Sequence, residues 1–108
     1  MGETSKYWEL HELNEDAIIF EEFAPAYMGY GTKLGLDKPV AVYDARQMVK
    51  IFAEGLIANQ EWVAEQDINT RDGLEDLAIQ DAVEYIEYNV FGMDVGENGP
   101  IFLHTYMY

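Results

Sequence analysis

The sequence predicts an α+β fold: a small antiparallel sheet covered by two main amphipathic helices, at about residues 44–57 and 74–90, in a single compact domain. Three observations predict it. Two stretches repeat apolar residues at helical spacing, and at least two others alternate at strand spacing. Leu, Ile, Val and Phe make up 28 of the 108 residues, above the level at which a highly charged chain stays disordered. The length suits one domain with a modest core.

Residues 1–6 are polar and expected to be flexible. Tyr7 to Leu13 reads as a strand, with Trp8 and Leu10 on one side and Glu9 and His11 on the other. Asn14-Glu15-Asp16 reads as a turn leading to the apolar Ala17–Phe20. A second hairpin-like pair follows, from Tyr27–Tyr30 through a glycine-rich link to Pro39–Tyr43, where proline sits only at the start of the run.

Asp44 and Gln47 hold capping positions for the first helix. Its apolar side is Ala45, Met48, Val49, Phe52, Ala53 and Leu56, with Arg46, Lys50 and Glu54 opposite. One or two helical turns are expected around Trp62 and Val63, then a loop over residues 69–73. Asp72 with Glu75 offers cap chemistry for the strongest helix, Leu74–Val90, which Gly92 is placed to end. One arc of that helix holds Leu74, Ala78, Ile79, Ala82, Val83, Tyr85, Ile86 and Val90. The complementary arc holds Asp76, Gln80, Asp81, Glu84 and Glu87, interrupted by Leu77 and Tyr88. Trp62, Phe52 and Tyr85 occupy core positions. Val95–Pro100 is a turn in which Gly96 and Gly99 permit positive φ, and Ile101–Tyr108 alternates as a last strand carrying Phe102, His104, Tyr106 and Tyr108 on one face.

Charge is the most informative property. The chain has 21 acids against 6 Lys plus Arg, a net charge of −15, which disfavours direct contact with nucleic acid or an anionic membrane. No signal peptide or membrane-length apolar run is visible. The charge is also segregated. Glu9, Glu12, Glu15, Asp16, Glu21 and Glu22 lie in a segment without a base, and eight more acids follow Arg71 with no base among them. Lys33, Lys38, Arg46 and Lys50 cluster between these acidic flanks. Such a surface can serve solubility alone, in ordinary water or in brine. Glu outnumbering Asp by 13 to 8, together with the segregation, argues against brine.

Catalytic chemistry finds little footing. Cysteine is absent, which excludes thiol chemistry, disulfides and a zinc ribbon; Ser5 is the only serine, and His11 and His104 stand alone. Asp94 with Glu97 is the best local pair for a metal, and no EF-hand, His-Glu-x-x-His or phosphate-loop spacing occurs. The expectation is a protein that is not an enzyme and carries no cofactor or metal.

Phe23-Ala24-Pro25-Ala26, Pro39-Val40-Ala41-Val42-Tyr43-Asp44, Ala82-Val83-Glu84-Tyr85-Ile86-Glu87-Tyr88-Asn89 and Val95-Gly96-Glu97-Asn98-Gly99-Pro100 together resemble a group of short uncharacterised proteins of bacteriophage and prophage genomes. The resemblance covers about half the chain, with residues 55–77 as an extension. It implies a phage setting, hence the host cytoplasm, and no mechanism. Joined to the charge pattern, it suggests an acidic inhibitor of a host protein with a cationic nucleic-acid-binding groove, such as a CRISPR effector, restriction enzyme or transcription component. Asp76, Asp81, Glu84, Glu87 and Tyr88 would form the contact face, with Glu9, Glu12, Glu15, Asp16, Glu21 and Glu22 as a second acidic patch. The alternative is a structural or assembly protein, a homodimer or larger homo-oligomer. In it the Arg46 and Lys50 stripe meets an acidic face of another copy, or the last strand pairs across an interface.

Overall fold

The computed structural model describes residues 6–93 and 95–104. The first five residues, Asp94, and residues 105–108 with Tyr106 and Tyr108 lie outside that range, so the expectations for a flexible start, for an Asp94–Glu97 pair and for the end of the last strand concern residues not described. The fold is α+β. The elements in chain order are α1 (Trp8–Leu13), a 3₁₀ segment (Glu21–Ala26), β1 (Tyr27–Gly31), β2 (Val40–Asp44), α2 (Ala45–Ala58), α3 (Gln60–Glu65), α4 (Arg71–Ile86), a π-helical turn (Glu87–Phe91) and β3 (Ile101–Leu103). They divide into two compact units: one from the described residues of Met1–Ala45 and Asp94–Tyr108, the other from Arg46–Met93. No helix among the described residues is long and apolar enough to cross a membrane.

The first unit holds the sheet, in the order β1-β2-β3. β1 pairs antiparallel with β2, as expected, but β3 runs parallel to β2, pairing Val42 with Ile101 and Asp44 with Leu103. The wholly antiparallel sheet is therefore corrected. The reason lies in connectivity: a parallel pair needs a long crossover, and the chain between β2 and β3 contains three helices. A bulge falls between Tyr27 and Gly29, where Gly29 takes φ +131° and leaves Met28 unpaired.

The expected strand at residues 7–13 is also corrected, to the helix α1. The buried residues there are Tyr7, Leu10 and Asn14, spaced three and four apart. That is a helical period, and Trp8, which the strand reading turned inward beside Leu10, is 49% exposed. Among the described residues Asn14 is the one buried polar side chain of this core. Its Nδ2 donates to the Pro39 carbonyl at 2.9 Å and to Asn98 Oδ1 at 3.1 Å, while its Oδ1 accepts from the Asp16 amide at 3.1 Å. Full satisfaction is what makes such burial tolerable.

Tyr43 centres an aromatic cluster. Its ring lies 5.7 Å from Tyr27, 6.1 Å from Phe20 and 6.4 Å from Phe102, and Tyr7 meets Tyr27 edge-on at 4.6 Å. The buried Tyr43 hydroxyl accepts the Phe20 amide at 2.8 Å, with the Tyr7 hydroxyl at 3.5 Å. In the Val95–Pro100 turn only Gly96 uses positive φ, at +78°. Gly99 is required for another reason: a Cβ there would collide with the Val95 side chain.

In the second unit α2 buries Met48 and Ala53, half-buries Val49, Phe52 and Leu56, and exposes Arg46, Lys50 and Glu54. This is the predicted face. Asn59 caps α3, its Oδ1 accepting from the Glu61 and Trp62 amides at 3.0 and 3.2 Å. α4 begins three residues before the expected start because Thr70, not Asp72, is its cap: Thr70 Oγ1 accepts from the Gly73 amide at 3.1 Å. Ala78 and Ala82 of α4 cluster with Ala53, and Val49, Phe52, Leu56, Ile57 and Trp62 pack around them.

Candidate acidic face on the fourth helix

The geometry of α4 follows from a narrow buried stripe. Its fully buried residues are Ala78, Ala82 and Ile86, one turn apart each. The expected apolar arc was wider: Ile79 and Tyr85 at its margins are 48% and 47% exposed. Opposite the stripe, at ~100° per residue, fall Asp76, Gln80, Glu84 and Glu87, with Tyr88 and Asp81 at one margin. Asp76, Glu84, Glu87 and Tyr88 are exposed and Asp81 is half-buried. All five predicted face residues therefore lie on one side of α4 and the π turn that continues it.

They are not equivalent. Asp81 Oδ2 accepts a hydrogen bond from Trp62 Nε1 at 3.2 Å, so one oxygen is committed within the unit. Glu75, at the helix start, is paired with Arg71 Nε at 3.1 Å. No hydrogen bond or ion pair among the described residues involves the carboxylates of Asp76, Glu84 or Glu87. From Asp76 to Glu87 the helix rises ~16 Å and carries four carboxylates, about one per 4 Å. One DNA strand carries a phosphate per ~3.4 Å.

Asp81, Glu84, Tyr85, Glu87, Tyr88 and Asn89 line a shallow, open groove of about 580 Å³. Asp76, more than a helical turn earlier, is outside it. Tyr85 stacks on Phe52 with ring centres 4.4 Å apart and planes within 19°. Tyr88 is 85% exposed, and Asn89 Nδ2 donates to the Tyr85 carbonyl at 3.0 Å. Glu87, Tyr88 and Asn89 belong to the π turn, which closes with the Gly92 amide donating to the Glu87 carbonyl at 3.0 Å. Gly92 ends the helix without left-handed backbone, at φ −81°. A Cβ there would come within 3.1–3.2 Å of the Tyr88 and Glu87 carbonyl oxygens.

Tyr85, a core position by periodicity, is 47% exposed and lines the groove together with Asn89, to which the apolar pattern gives no role. The available signal was the ladder Asp81, Tyr85, Asn89 at intervals of four, interleaved with Glu84 and Tyr88. The second acidic patch is exposed throughout, with Glu9 and Glu12 on α1, Glu15 and Asp16 in the turn after it, and Glu21 and Glu22 opening the 3₁₀ segment. It belongs to the first unit. Arg46 and Lys50 are exposed on successive turns of α2, in line with a stripe. Among the described residues no group of three or more His, Asp or Glu is placed to hold a metal.

No protein-family model, curated protein or solved structure matches this chain.

Proposed function

We propose that this chain is a non-catalytic acidic inhibitor of phage origin that binds a host nucleic-acid-handling protein, with α4 presenting carboxylates in place of phosphates. The observation that carries the reading is the exposed row Asp76, Glu84 and Glu87, which no cation among the described residues neutralises, beside an 85% exposed Tyr88. Retaining unpaired like charges on one helix face costs about 0.2–0.5 kcal/mol per neighbouring pair, a cost that a cationic partner would reverse. An exposed aromatic beside such charges suits an interface centre. The phage setting rests on the sequence resemblance. The partner class is a CRISPR effector, restriction enzyme or transcription component in the host cytoplasm.

The test is capture from host lysate with elution by a salt gradient, followed by competition with duplex DNA. A nucleic-acid-binding protein that DNA displaces is expected, with affinity falling about tenfold or more for the combined Asp76→Lys, Glu84→Lys and Glu87→Lys variant. Unchanged affinity of that variant at moderate salt overturns the reading.

One observation favours the second reading, a homo-oligomeric assembly protein. Among the described residues the sheet order leaves β1 and β3 as its two edges, and β1 carries the exposed Met28 and Tyr30, with the exposed Leu34 following it. Sedimentation at low and high salt separates the two: a monomer at every concentration removes self-assembly.

A further inference from the structure

We infer that the groove between Tyr85 and Tyr88 is a socket for a single arginine side chain from a basic segment of another protein. This deepens the proposed reading and rests on it: the acidic row supplies attraction, and the groove supplies a preference for guanidinium.

The lining is suited to guanidinium more than to ammonium. Tyr85 and Tyr88 contribute ring faces, and Glu84, Glu87 and the remaining oxygen of Asp81 contribute acceptors. Guanidinium is planar and weakly hydrated, so it stacks on a ring while its edge donates to carboxylates. A lysine ammonium is a compact, strongly hydrated point charge that can sit over a ring, as Lys6 does over Tyr27 at 5.9 Å, but cannot lay a plane on the ring while its edge donates to two carboxylates. The rigid side of the groove is already organised. Stacking on Phe52 occupies one face of Tyr85 and leaves the other available. The Trp62 indole fixes Asp81, and Asn89 is tied to the Tyr85 carbonyl. Tyr88, 85% exposed, forms the other wall.

A second copy of this chain is a poor occupant. Two molecules of charge −15 repel. Of the six basic residues, Lys6 donates to the Ala24 carbonyl, Lys33 to the Gly96 and Glu97 carbonyls, and Arg71 is paired with Glu75. Charge complementarity therefore points to a basic partner.

Titration of the isotope-labelled full chain with hexa-arginine and with hexa-lysine, followed by NMR, tests the socket. Hexa-arginine is expected to shift the Tyr85 and Tyr88 ring signals and the amides of residues 81–89, and to bind more tightly than hexa-lysine. Tyr88→Ala should remove about 2- to 5-fold of affinity for hexa-arginine and lower hexa-lysine binding by less. Tyr88→Phe should keep the preference. Equal binding of both peptides with silent tyrosine rings overturns the socket while leaving the acidic face intact. Binding of neither peptide overturns both.

Discussion

The tyrosines of the two units have opposite fates. Tyr43 is fully buried in the first unit, ringed by Tyr7, Tyr27, Phe20 and Phe102, and its hydroxyl accepts a backbone amide. Tyr88 of the second unit stands almost wholly in solvent, and Tyr85 shows half its surface with one face against Phe52. Chemistry is the same in both places; position and partners differ. Tyr43 lies on a central strand, where both sides of the sheet edge are taken and a hydroxyl must find a partner. Tyr85 and Tyr88 lie beyond the edge of an alanine stripe too narrow to draw them in. One set holds the molecule together, and the other is available to something else.

The largest break in that comparison is expected from Tyr43→Ala, which leaves a cavity and strands the Phe20 amide. A loss of about 3–5 kcal/mol in urea unfolding is expected. A loss under 1 kcal/mol would show that the cluster is not a core.

Alkaline pH sharpens the contrast. Burial first, then the Tyr7 hydroxyl, pushes the Tyr43 hydroxyl well above the ordinary tyrosine range, and burial also raises Tyr27. The unfolded chain releases these protons from about pH 10 while the folded chain keeps them. Stability supplied by the neutral forms is thus complete below pH 10 and falls as pH rises beyond it. For Tyr43 the slope approaches about 1.4 kcal/mol per pH unit until its folded hydroxyl ionises. Denaturant midpoints between pH 9 and 11.5 check this, and Tyr43→Phe should flatten the curve.

The smallest effect on stability is expected at the other pole. Tyr88→Ala should stay within about 0.5 kcal/mol of the parent by urea unfolding, although it impairs arginine binding. A larger loss would make Tyr88 a structural residue.

How much was readable in advance depends on length and on what a residue must touch. α2 is 14 residues long, and its apolar stripe from Met48 to Leu56 repeats often enough to fix which side is buried. α1 is six residues, too short for a period, so Trp8, Leu10, Glu9 and His11 matched a strand equally well. The direction of β3 depends on a neighbour some sixty residues away in sequence, which no local pattern encodes. The acids of α4 were legible because charge must face solvent when unpaired. Asp81 was not distinguishable from them, since its indole partner comes from α3. The apolar arc of α4 is also narrower than its residue types suggest: Ala78 and Ala82 pack with Ala53, while Ile79 and Tyr85 stay about half exposed.

The Asn14–Asn98 contact spans 84 positions and has a bearing on biogenesis. During synthesis every residue of the unit Arg46–Met93 exists before β3 does. The contiguous unit is thus complete in sequence while the other still lacks a strand and the asparagine that anchors Asn14. Until then β2 has one unpaired edge and the Tyr43 cluster lacks Phe102. The unit completed last is the one with the exposed apolar residues of β1, so until residues 98–103 have joined it the β1–β2 pair has two edges open to unwanted pairing.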